Sequence, residues 1–182
     1  MKVKVTAAMD MEWDDLFENA RDGGVLAGDR ITIRGCDWRI LDVRDDGSML
    51  IWQCTGLRHK MPFNRNGSNV YEGSDVQHFV KEEFPKEIPT DMLEHVTEDG
   101  FFLLSKDDVL KYMPDEKDRI ATDDENRTAW WWTSSASRGY AYYTWFVNAA
   151  GYVGSYYYAT HALRLAPACV IRQSANHAPQ GA

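Results

Sequence analysis

Between positions 13 and 20 the apolar residues Trp13, Leu16, Phe17 and Ala20 recur at i, i+3, i+4 and i+7, the stripe of an amphipathic helix. Asp10 is placed to cap its start, and Gly23-Gly24 to stop it. After the turn at Gly28-Asp29 the period changes to two. Ile31 and Ile33 form one short strand, and Trp38, Ile40 and Val43 a second. The turn signal Asp45-Asp46-Gly47 leads to a third apolar run at 49–52. This pattern predicts a meander of about three strands. Residues 58–73 are polar and rich in Asn and Gly, so they read as a loop. Ser74 then caps a helix with Val76, Phe79, Val80 and Phe84 on its apolar side, broken by Pro85 and Pro89. A short helical turn carries Met92, Leu93 and Val96. Residues 101–104 read as a buried strand, and Ser105 with Asp108 as the capping box of a helix that ends before Pro114. Residues 115–128 are charged and without period, an exposed connector.

From Ala129 the character of the chain changes. Trp130-Trp131-Trp132-Thr133-Ser134-Ser135 opens an aromatic third, in which one or two of the tryptophans belong in the core alongside Trp13, Trp38 and Trp52. A small-residue loop follows, then a strand at 142–147, a turn at Asn148-Ala149-Ala150-Gly151, a returning strand at 152–158 and a last one at 168–172. Seven of the nine tyrosines lie between Tyr140 and Tyr158, among Ser, Gly, Ala, Thr and Asn. In an extended segment successive side chains alternate between faces, so Tyr156-Tyr157-Tyr158 must turn at least one ring outward. Two readings stay open for this strip: cross-strand pairing inside a sheet, or an exposed aromatic binding face.

Charge sharpens the contrast. The chain of 182 residues carries a formal −8, against non-specific nucleic-acid binding, which needs a basic face. Residues 128–182 hold no Asp, Glu or Lys, only Arg138, Arg164 and Arg172. All 28 acidic residues therefore precede Thr128, with 17 of the 20 basic ones, so that part carries 17 − 28 = −11. Aromatic and small residues without carboxylates are the vocabulary of binding loops, in which Tyr gives contact area at low entropic cost. The reading thus predicts a non-enzymatic ligand-binding surface for a protein or glycan. Its residues are Trp132, Ser135, Ser137, Arg138, Tyr140, Tyr142, Tyr143, Trp145, Asn148, Tyr152, Ser155, Tyr156, Tyr157, Tyr158 and His161. Arg164 is assigned a structural hydrogen-bonding role.

Other chemistry finds little support in the residue spacing. Cys36, Cys54 and Cys169 are odd in number and form no C-x-x-C pair, so they read as free thiols. The five histidines are scattered without H-x-x-x-H spacing, and neither acidic cluster has a calcium-loop pattern. No metal and no cofactor are expected. No G-x-S-x-G signature marks a hydrolase. No apolar run approaches the roughly 18 residues of a membrane span, and the N-terminus lacks a signal-peptide apolar region. The expected location is cytoplasmic as synthesised, with virion association and self-assembly as the alternative.

The order of motifs carries a resemblance. Gly28-Asp29-Arg30-Ile31, Trp38-Arg39-Ile40-Leu41-Asp42-Val43, Phe101-Phe102-Leu103-Leu104-Ser105, Trp131-Trp132-Thr133-Ser134-Ser135, Trp145-Phe146-Val147-Asn148, Gly151 and Leu165-Ala166-Pro167-Ala168 together resemble an uncharacterised domain family of gut bacteria and their phages. The resemblance spans residues 25–172. It implies an α+β, C-type-lectin-like fold related to that of formylglycine-generating enzymes, with mostly antiparallel sheets and two to four short helices. Only Cys169 lies where those enzymes carry their paired cysteines, so the oxidase activity is not expected. The same fold hosts variable proteins of diversity-generating retroelements, whose C-terminal stretch is a hypervariable binding surface. The expected organisation is one domain over 1–172, with an N-terminal strand and helix at 1–24, the aromatic binding region at 129–172 and a disordered tail at 173–182.

Overall fold

Helix α1 (Trp13–Arg21) buries Trp13, Leu16, Phe17 and Ala20, as their spacing predicts. The computed structural model describes residues 3–5 and 9–175, and most of the expected tail, 176–182, lies outside them. In chain order the first strands are β1 (Val3–Val5), β2 (Met9–Met11), β3 (Arg30–Ile33), β4 (Cys36–Val43), β5 (Met49–Gln53) and β6 (Lys60–Pro62). Helices α2 (Asp75–His78) and α3 (Thr90–Leu93) follow, then β7 (Phe102–Leu103) and α4 (Lys106–Tyr112). The rest is strand: β8 (Ala121–Thr122), β9 (Thr128–Ala129), β10 (Trp131–Ala136), β11 (Tyr143–Val147), β12 (Val153–Tyr158), β13 (Ala162–Arg164) and β14 (Pro167–Ile171).

The protein is α+β with mostly antiparallel sheets and four short α-helices among the described residues. One sheet has the order β2-β1-β3-β4-β5-β14-β7, and a second β12-β11-β10-β13-β6. Strands β8 and β9 form a small hairpin of their own. Within the second sheet β10 and β13 run parallel, and the other neighbours antiparallel. No described helix is long and apolar enough to cross a membrane.

Two apolar clusters share the central strands, and the β-pleat explains how. Strand β5 is buried along its whole length. Met49 and Ile51 enter one cluster with Phe17, Trp38 and Phe63, while Leu50 and Trp52 enter the other with Leu104, Val109 and Ala168. Strand β10 repeats the device: Trp132 meets Phe63 at 5.6 Å between ring centroids, and Trp131 meets Trp52 at 4.9 Å. Trp130, just outside the strand, stays partly exposed and stacks flat on Phe146. The tryptophan triplet therefore divides into two core rings and one surface ring.

Several expectations are corrected. Asp10 does not cap α1, because β2 pairs with β1 through it; Glu12 holds the N-cap position without a side-chain bond. The polar stretch 58–73 contains β6 and buries Phe63 and Asn69. Residues 115–128 are an exposed connector only in part: 115–117 and 124–128 face water, but a 3₁₀ turn (Glu116–Arg119) and the β8–β9 hairpin bury Arg119, Ala121 and Asp123. Pro85 does not end the α2 helix but sits in the first turn of a 3₁₀ segment (Phe84–Glu87) that continues it through a π turn (Phe79–Glu83). Strand β13, too short to show a period, was not expected. The tail is tied down where it begins: Gln173 bonds to Arg21 at 2.9 Å and Asp14 at 3.1 Å, and the Ser174 N–H donates to His95.

Candidate functional site

On β12 the pleat turns Tyr156 and Tyr158 outward, 65% and 46% exposed. Tyr157 points inward between them, against Trp130, Trp132 and Phe146. Strand β11 lies antiparallel to β12 in a register that sets Tyr143 opposite Tyr158, their centroids 4.9 Å apart. A loop at 137–142 then folds Tyr140 and Tyr142 over this pair, turning at Gly139, whose φ of +83° lies in the left-handed region. Tyr142 packs on Tyr143 at 4.7 Å and on Tyr158 at 5.9 Å. Tyr140 lies 5.4 Å from Tyr143 and 6.0 Å from Tyr156. Five phenol rings thus form one contiguous cluster, and four of them are exposed. Edge-to-face geometry dominates it, the arrangement the ring quadrupole favours.

The loop is held from below by a residue in the segment read as plain loop. Asn69 is buried, and its Nδ2 donates to the carbonyls of Tyr140 and Tyr143 at 2.8 Å each and of Ser137 at 3.3 Å. Its backbone N–H donates to Ala141 at 2.9 Å. One side chain therefore gathers the main chain on which three of the five tyrosines ride.

Two hollows flank the cluster. On one side a basin of about 410 Å³ is lined by Lys106, Ser137, Arg138, Trp145, Ser155 and Tyr156, among others. Lys106 Nζ lies 4.8 Å over the Trp145 ring, a cation–π contact. Arg138 is exposed at its wall. Asp107, from α4, also reaches the rim and pairs with Lys106 at 3.2 Å, so the face is not wholly free of carboxylate although its own strands are. On the other side Tyr142, Tyr158, Gly67 and Thr160 line a hollow of about 260 Å³. The exposed His161 ring rests against Tyr158 at 5.2 Å.

Four of the expected site residues are reassigned. Trp132 is fully buried and its indole N–H donates to the Met61 carbonyl at 3.0 Å, so it serves the core. Tyr157 is half-buried and faces the same core. Asn148 builds the β11–β12 turn, its Oδ1 accepting from the N–H groups of Ala150 and Tyr152. Tyr152 is exposed, but beside that turn at the far end of the hairpin from the cluster. Ser135 accepts the Lys106 N–H at the start of α4 with its hydroxyl oxygen and still lines the basin of about 410 Å³, so it stays with the site. Tyr140, Tyr142, Tyr143, Tyr156 and Tyr158 come together, with Ser137, Arg138, Trp145 and Ser155 beside them and His161 at the margin. Arg164 has the structural role its position implies, donating to the Arg58 carbonyl at 2.8 Å and lying 3.4 Å from Asp123.

Chemically the cluster offers apolar ring faces rimmed by phenol O–H groups. The Tyr143 hydroxyl donates to that of Tyr158 at 3.4 Å, and this bond, reinforced by the crowding of neighbouring phenols, pushes the Tyr143 phenol up to about 12. A phenol raised in the folded state stabilises the fold fully below its ordinary value near 10, and that contribution is lost as pH rises through about 12. Alkaline absorbance titration is expected to show two late-ionising tyrosines, Tyr71, raised by its burial, and Tyr143, and Tyr158→Phe brings the second back toward ordinary pH. Two late steps unchanged in the variant would show that the bond to Tyr158 does not hold the proton. Among the described residues no group of three or more His, Cys, Asp or Glu side chains is placed to hold a metal ion.

A family model described as a domain of unknown function, DUF6273, matches residues 90–173, just under half of the chain. The matched stretch runs from α3 to the end of β14 and includes the whole tyrosine cluster, but not Asn69 beneath it. No curated protein and no solved structure matches the chain.

Proposed function

We propose that the protein is a non-enzymatic binding module that presents the tyrosine cluster to a protein or glycan ligand. The observation that carries this reading is the contiguity of five phenol rings, four of them exposed, held by a buried asparagine. Clustered solvent-facing aromatics mark interaction sites. Their phenols hydrogen-bond while their faces stack, which suits a sugar ring or a peptide side chain equally. We further read the fold as C-type-lectin-like. That reading is supported by a sheet holding both β1 and β14, near the two ends of the chain, while a second sheet carries the display loop. The cluster is also a fitting site for retroelement-driven variation. A near-repeat of the DNA encoding residues 130–172, differing mainly at adenines and lying beside a reverse transcriptase gene, would establish that origin.

The binding test uses a glycan array and a displayed random-peptide library, each probed with wild type and with Tyr156→Ala/Tyr158→Ala. Binders are expected for wild type and a loss of at least about thirtyfold in the variant, the scale of an interface hot spot. The melting temperature should fall by no more than roughly 2–4 °C, since exposed rings contribute little to stability. Binding that survives the double substitution, or a collapse of the fold, overturns the proposal.

One observation favours a second reading, self-association. Strand β12 is an edge of its sheet, six residues long, without charge or proline. The opposite edge, β6, is three residues long and carries Lys60 and Pro62, features that blunt an edge against strand addition. Light scattering across a concentration series separates the readings: a monomer throughout excludes self-association, whereas a dimer abolished by Ser155→Lys supports it.

A further inference from the structure

A second recess lies away from the tyrosine cluster, between the meander and the 3₁₀ segment at 84–87. It encloses about 160 Å³. A cavity of about 150 Å³ accommodates one benzene ring. Its inner wall is apolar, lined by Trp38, Phe84 and Leu165 from the core. Its mouth is cationic, with Arg34 and Arg58 both lining it and both exposed.

The charges at that mouth do not cancel. Glu87, the carboxylate lining it, is hydrogen-bonded to the His59 ring at 3.0 Å, which leaves two guanidiniums against one carboxylate. Arg34 reaches only the Glu87 carbonyl, at 3.4 Å, and among the described residues neither Arg34 nor Arg58 has a carboxylate within ion-pair distance. Two unpaired guanidiniums at one opening are unusual on a chain of net charge −8. Guanidinium groups match carboxylate oxygens in a planar, two-bond geometry.

We propose that this recess binds a small single-ring aromatic carboxylate, its ring against Trp38, Phe84 and Leu165 and its carboxylate at Arg58 and Arg34. Size sets the ring count, the wall sets the apolar body, and the mouth sets the charge. The site is independent of the tyrosine cluster and stands or falls without it.

Cys36 supplies a reporter. Its thiol lines the recess and is half-buried, while Cys54 and Cys169 are buried elsewhere. Burial pushes the Cys36 thiol up, and nearby Arg58 partly offsets that. Burial raises Cys54 further, to about 11, and Cys169 beyond that, so N-ethylmaleimide should label Cys36 first.

Phenylacetate at millimolar concentration is expected to slow Cys36 labelling at least about threefold and to shift tryptophan emission through Trp38. Benzylamine, with the ring but the opposite charge, and acetate, with the charge but no ring, should do neither. Arg58→Gln changes an exposed side chain and should weaken phenylacetate protection about tenfold, the effect of one charge-assisted contact. Three results overturn the proposal: no protection by phenylacetate, equal protection by benzylamine or acetate, or protection indifferent to both Arg58→Gln and Arg34→Gln.

Discussion

Arg119→Met is expected to cost about 3–4 kcal/mol of unfolding free energy, far more than a charged residue in a polar run ordinarily does. Arg119 is 7% exposed. Its guanidinium donates to the carbonyls of Met113 at 2.6 Å, Pro114 at 2.7 Å and Gly151 at 3.2 Å. Removing it orphans two buried acceptors, each costing about 1–3 kcal/mol; the third, at Pro114, is partly open to water. Methionine restores the stem's packing but none of the donors. The same junction is closed from three other directions. The Trp131 indole N–H donates to the Arg119 carbonyl at 3.1 Å. Asp118 pairs with Arg39 at 3.3 Å. Gly151, at φ +86°, lies so close to the Glu116 carbonyl that a Cβ there would collide with main chain.

Denaturant unfolding checks the figure, with a drop in melting temperature of roughly 10 °C as its thermal counterpart for a chain of this size. Gly151→Ala should destabilise comparably, through overpacking and a strained φ. Because both changes open one junction, the double variant should fall short of their sum. A loss under about 1 kcal/mol for Arg119→Met would mean that residues 115–128 behave throughout as the exposed connector their composition describes.

That composition shows where sequence reading reached and where it stopped. Features encoded by near neighbours were legible. The Ser105–Asp108 capping box forms in both directions. The stripe of α1 points inward, and the alternation of Tyr156-Tyr157-Tyr158 splits the triplet between surface and core. Features encoded by distant partners were not. Asn69 and Arg119 sit in polar runs, where such residues normally face water, and only their bonds distinguish them: those of Asn69 to the loop before β11, and those of Arg119 to Gly151 and to the nearer Met113 and Pro114. Asp10 shows the reverse failure: its local capping signal was real, but pairing of β1 with β2 took the residue first. Trp132 was misplaced for a third reason. Alternation tells which residues share a face, but not that a strand such as β10 has core on both faces.

Asn69→Leu is expected to abolish ligand capture as completely as removing the tyrosines, while every ring of the cluster remains in the chain. Without Nδ2, the carbonyl of Ser137 loses the donor that holds it, while those of Tyr140 and Tyr143 keep the N–H groups of Tyr143 at 3.3 Å and Ser137 at 3.0 Å. The fold itself is less affected, because β11 and β12 keep their own pairing; about 2 kcal/mol is expected for one unsatisfied buried carbonyl and two partly satisfied ones. The loop at 137–142 should therefore loosen first, read as faster amide exchange there than in the strands. Asn69→Asp should do worse than leucine. It keeps the shape but sets a carboxylate, an acceptor only, against three carbonyl oxygens. Preorganisation is what the two variants test, since a cluster ordered before binding avoids the cost of ordering it during binding. Undiminished capture by Asn69→Leu, with faster exchange at 137–142, would show that the tyrosines bind from a mobile loop and that the asparagine serves the fold alone.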